Sequence, residues 1–194
     1  MSFPCHPVEA SFFDTAPMRF KNAVEVEARP AEVFAIFEDG ESWPRWFSGM
    51  RKVVWTSNKP YGVGTTRTVW FPLLSIDEHF FRWEQDRRFS FYLTAHSMPL
   101  VHALAEDYLL EEVAPGRTRF TYSVAIEPRL ALSMGGPIAR PLIDSFLRNA
   151  CKGLQSYVLK PETSRRADEG ATKVRGPAPS RGVVGWTKTK DPLR

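Results

Sequence analysis

The residues best suited to chemistry in this chain are a carboxylate and a phenol on two neighbouring predicted strands. Glu106 alternates with Leu104 and Tyr108, so the three side chains share one face of their strand, and Tyr122 lies on the next strand. A carboxyl group in an apolar pocket has a shifted pKa and can move a proton at a carbon beside a carbonyl. Tyr122 could then donate a hydrogen bond to the enolate oxygen. This pair is the candidate for acid–base catalysis.

The same two residues also have a structural interpretation. Glu106 could form an ion pair with an arginine such as Arg82 or Arg119, and Tyr122 could be part of an apolar wall. Asp107 points to the opposite face of the strand by the same alternation. The sequence leaves both interpretations open.

Other kinds of site have weaker support. His96 and His102 are six residues apart but have no third metal ligand at a convincing spacing. Cys5 lies in an irregular segment, and Cys151 is expected to be a small core residue. The glycines at 62 and 64 lack the third glycine and the helix that phosphate binding requires. The sequence therefore predicts no metal and no other cofactor.

Composition limits the remaining classes of function. The 194 residues are 43% hydrophobic and 25% charged, as in an ordinary globular protein, and 13% are aromatic. No apolar run is long enough to cross a membrane. Residues 1–160 carry 18 basic and 18 acidic side chains, so the net charge of +4 comes from residues 161–194. A neutral body argues against nucleic-acid binding. Two cysteines and no signal-peptide pattern lead us to expect a cytoplasmic protein.

The order of predicted elements indicates an α+β fold. A strand over Phe20–Ala28 is followed by a helix that begins near Pro30 and by a second short helix over Glu41–Phe47. Further strands follow with short turns between them, which predicts an antiparallel sheet; they are Lys52–Thr56, Thr65–Phe71, Ile76–Glu84, Arg88–His96, Leu104–Val113 and Thr118–Glu127.

A long helix closes the domain. Apolar residues recur at helical spacing from Ile143 to Val158, and the helix is expected to begin between Pro137 and Pro141 and to end at Pro161. We therefore predict a curved antiparallel sheet of six to seven strands wrapped around this helix. Residues 1–19 are expected to be an irregular segment, residues 20–160 the domain, and residues 161–194 a disordered basic tail.

The motifs in this order resemble a known superfamily. Residues 29–34 (RPAEVF) and 41–46 (ESWPRW) are similar to segments that recur at these places in the START and birch-pollen-allergen-like superfamily, also named SRPBCC. The closest resemblance is to its polyketide cyclase/dehydrase branch, with supporting matches at residues 62–65, 83–91 and 116–122. The resemblance implies the helix-grip fold and a cavity for an apolar small molecule or lipid between the sheet and the last helix.

The inward-facing rows of the strands and the last helix predict the lining of that cavity. Whether Phe80 or Phe81 points inward is not decided by the sequence. The predicted lining is Phe81, Trp83, Phe91, Leu93, Tyr108, Phe120, Tyr122, Ile143, Phe146, Leu147 and Ala150. Trp43 and Trp46 are either packing residues or a lid, and the glycines at 135 and 136 could form a hinge at the mouth of the cavity.

Three functions fit these features. The first is a carrier or binding protein for an apolar molecule. The second is a cofactor-free cyclase or dehydratase that uses Glu106 and Tyr122. The third is an interaction module whose tail, residues 161–194 with Trp186, contacts a protein or an acidic membrane surface.

Overall fold

The computed structural model describes residues 2–129 and 136–160. These residues form eight strands and four helices in one compact unit, with the long helix at the C-terminal end. In chain order the elements are β1 (Phe3–Pro4), α1 (Phe12–Thr15), β2 (Met18–Val26), α2 (Pro30–Glu38), α3 (Trp43–Trp46), β3 (Lys52–Trp55), β4 (Thr66–Trp70), β5 (Ser75–Glu84), β6 (Arg88–His96), β7 (Val101–Ala114), β8 (Arg117–Pro128) and α4 (Gly136–Val158).

The strands form a single antiparallel sheet in the order β2-β8-β7-β6-β5-β4-β3, with β1 paired to β6 outside this path. The ends of the sheet, β2 and β3, do not pair with each other, so the sheet is open. The predicted α+β architecture is confirmed, and the predicted strand limits differ from the observed ones by three residues or fewer. Short turns join most successive strands, so neighbouring strands pair with each other and the turn residues mark where each strand ends.

The first 19 residues contain more structure than the predicted irregular segment. Phe3 and Pro4 pair with His96 and Ala95, and Cys5 donates a backbone hydrogen bond to Thr94 at 2.9 Å. This edge of β6 is available because β6 pairs with β7 only as far as Tyr92. A one-turn helix, α1, follows. A strand of two residues is too short to show the alternation of apolar and polar side chains from which strands are predicted.

A bulge in β5 determines that Phe80, rather than Phe81, points to the inner face of the sheet. Phe80 pairs with Phe91 but Arg82 pairs with Ser90, so the register shifts at Phe81. Phe80 is fully buried, whereas Phe81 is half-buried and contacts Tyr92. The inserted residue also returns Trp83 to the inner face, since a bulge changes the side-chain alternation.

Helix α4 lies against the inner face of the sheet and is held most tightly in its second half. Leu154 is fully buried, and the Gln155 side chain donates a hydrogen bond to the Glu25 carbonyl at 2.8 Å. A Cβ atom at Gly153 would lie 2.0 Å from the Trp46 carbonyl oxygen. Only glycine permits this close approach of α4 to α3.

Two predicted features fall outside the described residues. The first glycine of the predicted hinge, at position 135, lies outside the described residues, as does the whole predicted tail, 161–194. In the described ranges, no helix is long and apolar enough to span a membrane.

Candidate functional site

A cavity of about 410 Å³ lies between the inner face of the sheet and α4. Most of its lining is aliphatic or aromatic, with a few polar side chains, as is usual for small-molecule sites. Its polar residues are Arg67, Glu78, Glu106, Tyr108 and Tyr122. Its apolar residues are Trp43, Phe47, Met50, Val69, Phe71, Leu74, Ile76, Leu100, Val101, Leu104, Val124, Ile126, Ile143, Phe146 and Leu147.

Glu106 accepts hydrogen bonds from two phenols inside this cavity. The Tyr122 hydroxyl donates to Glu106 Oε2 at 2.8 Å, and the Tyr108 hydroxyl donates to the same oxygen at 3.2 Å. Adjacent strands position the three groups, because Tyr108 and Tyr122 are direct partners in the β7–β8 pairing. Among the described residues, Oε1 of Glu106 receives no hydrogen bond. The second carboxylate oxygen is therefore available to a ligand.

The ion pairs that the sequence offered for Glu106 do not form. Arg82 lies 3.6 Å from Asp107 on the outer face of the sheet, where Arg88 also binds Asp107, at 2.8 Å. Arg119 instead pairs with Glu25, at 3.0 Å. Glu106 and Asp107 are consecutive, so strand alternation sends one carboxylate to the cavity and the other to the arginines.

An ion pair that the sequence analysis missed lies beside Glu106. The Arg67 guanidinium donates to Glu78, and both residues are buried. Arg67 is also packed against aromatic rings, 4.4 Å from the Trp43 centroid and 4.7 Å from that of Phe91. Strand alternation indicates that both side chains point inward, because Arg67 lies two residues before the buried Val69 and Glu78 two residues before the buried Phe80.

One donor of Arg67 is unused. Its Nη1 atom is buried and has no hydrogen-bond partner among the described residues. A buried unpaired donor costs free energy that a suitable acceptor recovers. Arg67 is one of the residues that line the cavity, so this polar side chain lies at the site where a ligand would bind.

The charge states follow from burial. Burial, and secondarily the nearby Glu78, raise the pKa of Glu106 to about 7, although the tyrosine hydrogen bonds and Arg67 act to lower it. Burial also raises the pKa of Glu78, against the effect of Arg67. Burial and the Glu106 carboxylate raise the pKa values of Tyr108 and Tyr122 well above the ordinary phenol value, so both remain donors.

The structure brings five of the eleven predicted lining residues to the cavity. These are Tyr108, Tyr122, Ile143, Phe146 and Leu147. The other six are not among the lining residues. Phe91, Leu93, Phe120 and Ala150 are buried in the core, and Phe81 and Trp83 are half-buried.

The tryptophans and the histidines also have defined positions. Trp43 is fully buried, donates to the Phe37 carbonyl at 3.0 Å and forms part of the cavity wall, so it is at once packing and lining. His96 is buried beside the Val101 carbonyl, while His102 stacks on His6. In the described parts of the chain, no three metal-binding side chains cluster.

A second groove of about 410 Å³ lies on the outer face of the sheet. Five of its eleven lining residues are charged, including Lys21, Arg88 and Asp107. Arg88 and Asp107 are bound to each other there, at 2.8 Å. We take the inner cavity as the candidate site because it combines an apolar wall with a buried polar cluster.

Comparison with known proteins identifies the family. The family described as polyketide cyclase / dehydrase and lipid transport matches residues 17–160. Uncharacterized proteins of Mycobacterium tuberculosis and Mycobacterium bovis are 36% identical over 162 residues, which cover 80% of this chain and 93% of theirs.

Solved structures show the fold. A START superfamily protein from Mycobacterium smegmatis has a TM-score of 0.62 at 15% identity, over 72% of this chain and 96% of that one. An aromatase/cyclase from a Streptomyces species has a TM-score of 0.57 at 16% identity, over 77% and 95% of the two chains. These matches confirm the predicted helix-grip fold. The chain belongs to the polyketide cyclase/dehydrase and lipid transport family.

Proposed function

We propose that this protein binds an apolar small molecule or lipid that carries one oxygen-containing polar group. One observation carries this proposal: the cavity is apolar except for a single buried cluster that contains Arg67, Glu106 and Tyr122. An apolar wall favours the hydrocarbon part of a ligand, while a small number of placed polar groups fixes its orientation.

The cavity volume sets the size of the ligand. At about 30 Å³ for each water-sized group, 410 Å³ corresponds to roughly 14 non-hydrogen atoms. A molecule of two to three fused rings, or a fatty chain of similar bulk, has this size. The Arg67 side chain and the Glu106 carboxylate, which both line the cavity, are the polar groups that support binding of the ligand oxygen.

The test is ligand capture followed by blocking of the cavity. The protein is purified from its own host under native conditions, its intact mass is measured, and any bound molecule is extracted and identified. Binding of that molecule is then measured for Leu104→Trp, which fills the cavity. Leu109→Trp is the matched control, because Leu109 lies on the same strand but lines the outer groove.

We expect Leu104→Trp to reduce affinity at least tenfold and Leu109→Trp to leave it unchanged. The proposal fails if the protein carries no ligand and no apolar compound raises its melting temperature. It also fails if the two variants bind a ligand equally well.

A second function is favoured by the state of Glu106. A carboxyl group with a pKa near 7 can accept and return a proton at neutral pH, which suits a cyclase or dehydratase. Binding and catalysis are separated by Glu106→Gln, which keeps the shape and one acceptor oxygen. A carrier retains its ligand affinity, whereas an enzyme loses turnover by about a hundredfold or more while still binding its substrate. The interaction role of residues 161–194 stays a prediction.

A further inference from the structure

One end of the domain brings two strand connections and the first half of α4 together. Residues 71–74 connect β4 to β5, and residues 97–100 connect β6 to β7. The Ser97 amide donates to the Ser75 carbonyl at 3.0 Å, and the Ser75 amide donates to Ser97 Oγ at 2.9 Å. The Phe146 ring of α4 contacts Phe71, with centroids 6.3 Å apart. Each of these three segments contributes residues to the cavity lining, among them Leu74, Leu100 and Phe146.

Large apolar side chains at this end are exposed. We define the cavity rim as Leu73, Met98, Ile138, Leu142 and Phe146. Seven large apolar side chains are exposed in the described part of the chain, and these five are among them. Leu73 is 85% exposed and Leu142 65%. Ile138, Leu142 and Phe146 follow one another at four-residue spacing, so they form one stripe along α4. Clustered exposure of this kind marks a binding surface.

The rim is continuous with the cavity wall. Phe146 belongs to both, Leu74 lines the cavity directly after Leu73, and Leu100 lines it two residues after Met98. An apolar molecule that moves from the rim into the cavity therefore stays in contact with apolar side chains. Transfer through water would instead expose its hydrocarbon surface.

Most exposed charges next to the rim segments are positive; the exposed Asp77, directly after Ile76, is an exception and accepts a hydrogen bond from Thr68. Residues 70–76 and 97–101 contain no charged side chain. Exposed cations flank them on both sides: Arg51 and Lys52 at the start of β3, and Arg140 on α4. The Lys52 amine lies 5.5 Å from the Trp70 ring, directly before the first connection. The acidic residue of this part of α4, Asp144, already binds Asn22 and Arg148.

We propose that the cavity rim inserts into the surface of a membrane that contains anionic lipid, and that the ligand passes between that membrane and the cavity. An apolar stripe flanked by cations is the arrangement of an interfacial membrane-binding helix, and the cations match the negative charge of the lipid surface. The passage of ligand rests on the proposed function, whereas the docking surface does not.

The full-length protein is tested by sedimentation with vesicles of phosphatidylcholine alone and of phosphatidylcholine with phosphatidylglycerol. The rim variant carries Leu73→Asp and Leu142→Asp. The control variant carries Val63→Asp and Leu159→Asp, whose leucine and valine are similarly exposed, at 64% and 69%, but lie outside the rim. All four positions are exposed, so both variants are expected to melt at the wild-type temperature.

We expect wild-type protein to bind the anionic vesicles more strongly than the neutral ones. The rim variant should bind the anionic vesicles at least tenfold more weakly than the wild type, because its two exposed leucines are no longer present to transfer out of water. The control variant should bind like the wild type. Equal binding by the rim variant and the wild type would place membrane binding elsewhere, for example in residues 161–194, and would overturn the proposal.

Two further results also overturn it. One is the absence of binding to either vesicle by the wild type. The other is a wild-type dimer, seen in light scattering without lipid, that only the rim substitutions dissociate, since the rim would then be an interface between two copies. Ligand affinity of the rim variant in lipid-free buffer is measured alongside. Loss of vesicle binding with retained ligand affinity separates the rim from the cavity, and vesicle binding by a protein that binds no ligand would refute only the proposed function.

Discussion

Tyr122 donates a hydrogen bond of 2.8 Å to Glu106, and Tyr108 reaches the same carboxylate oxygen at 3.2 Å. Two donors on one oxygen stabilise the negative charge, while burial in the apolar cavity opposes it more strongly. The balance between the hydrogen bonds and burial determines the pKa of Glu106 and, through it, how the stability of the protein depends on pH. Both effects can be tested.

Replacing Glu106 should make stability less sensitive to pH. Its pKa in the folded protein, about 7, lies above the ordinary value of 4.5, so the folded state binds this proton more tightly than the unfolded chain. The resulting stabilisation is complete below about pH 4.5 and is lost as the pH rises through about 7. Glu106→Gln removes this loss. Its unfolding free energy relative to wild type should therefore rise by on the order of 3 kcal/mol between about pH 4 and pH 8.

Urea denaturation at a series of pH values measures this difference. Glu111→Gln is the control, because Glu111 lies on the same strand but is exposed. A constant difference between Glu106→Gln and wild type across the pH range would contradict the assigned pKa.

Removing the Tyr122 hydroxyl should raise the pKa of Glu106 further. The hydrogen bond from Tyr122 favours the ionised carboxylate, and Tyr122→Phe deletes that bond while keeping the ring. Tyr108→Phe should have a smaller effect, because its hydrogen bond is longer. Carboxyl carbon chemical shifts of Glu106, followed by NMR through a pH titration, report both values. A lower pKa in Tyr122→Phe would rule out the hydrogen bond as a stabiliser of the charge.

Replacing only Arg67 should lower the free energy of unfolding more than replacing both Arg67 and Glu78. Arg67→Met leaves the buried Glu78 without its cation, which we expect to cost about 3–5 kcal/mol of unfolding free energy. The double variant Arg67→Met, Glu78→Leu leaves no uncompensated charge and should recover most of that loss. Chemical denaturation of the single and double variants gives the coupling. Additive losses would show that the two side chains do not depend on each other.

A methyl group at Gly153 should destabilise the contact between α4 and α3. Alanine is the better helix former by about 1 kcal/mol, yet its Cβ atom would lie 2.0 Å from the Trp46 carbonyl oxygen. We expect Gly153→Ala to lower the unfolding free energy by about 2 kcal/mol or more, as other overpacked sites do. Ser156→Ala, an exposed position three residues on, is the control for helix propensity. A stabilised Gly153→Ala would show that α4 can move away from α3.

The sequence was sufficient to predict the sheet and the face of Glu106, because alternation is a local pattern that the sheet preserves. It was not sufficient to predict what Glu106 contacts. Strand pairing alone placed Asp107, rather than Glu106, beside Arg82 and Arg88, and a pairing register depends on the whole fold.

The errors in detail have similar causes. One inserted residue at Phe81 shifts the register of β5, and no composition signal marks that bulge. The burial of Arg67 could not be predicted from its own strand, because a buried arginine requires a carboxylate partner and Glu78 lies on the neighbouring strand. Phe91 and Phe120 share the inner face with the cavity residues. Whether a ring borders empty space or another ring depends on packing that alternation does not encode.

The unequal attachment of α4 has a consequence for how the cavity can open. Near Gly153 and Leu154 the helix is buried against α3 and the sheet, whereas Ile138 and Leu142 are exposed, and Pro141 lacks the amide that would complete the hydrogen bonding of that turn. Local unfolding should therefore begin in the first two turns and cost much less than unfolding of the domain. Amides there should exchange with deuterium sooner than those beyond Ala150. A ligand can then enter by fraying of one helix end while the rest of the domain stays folded.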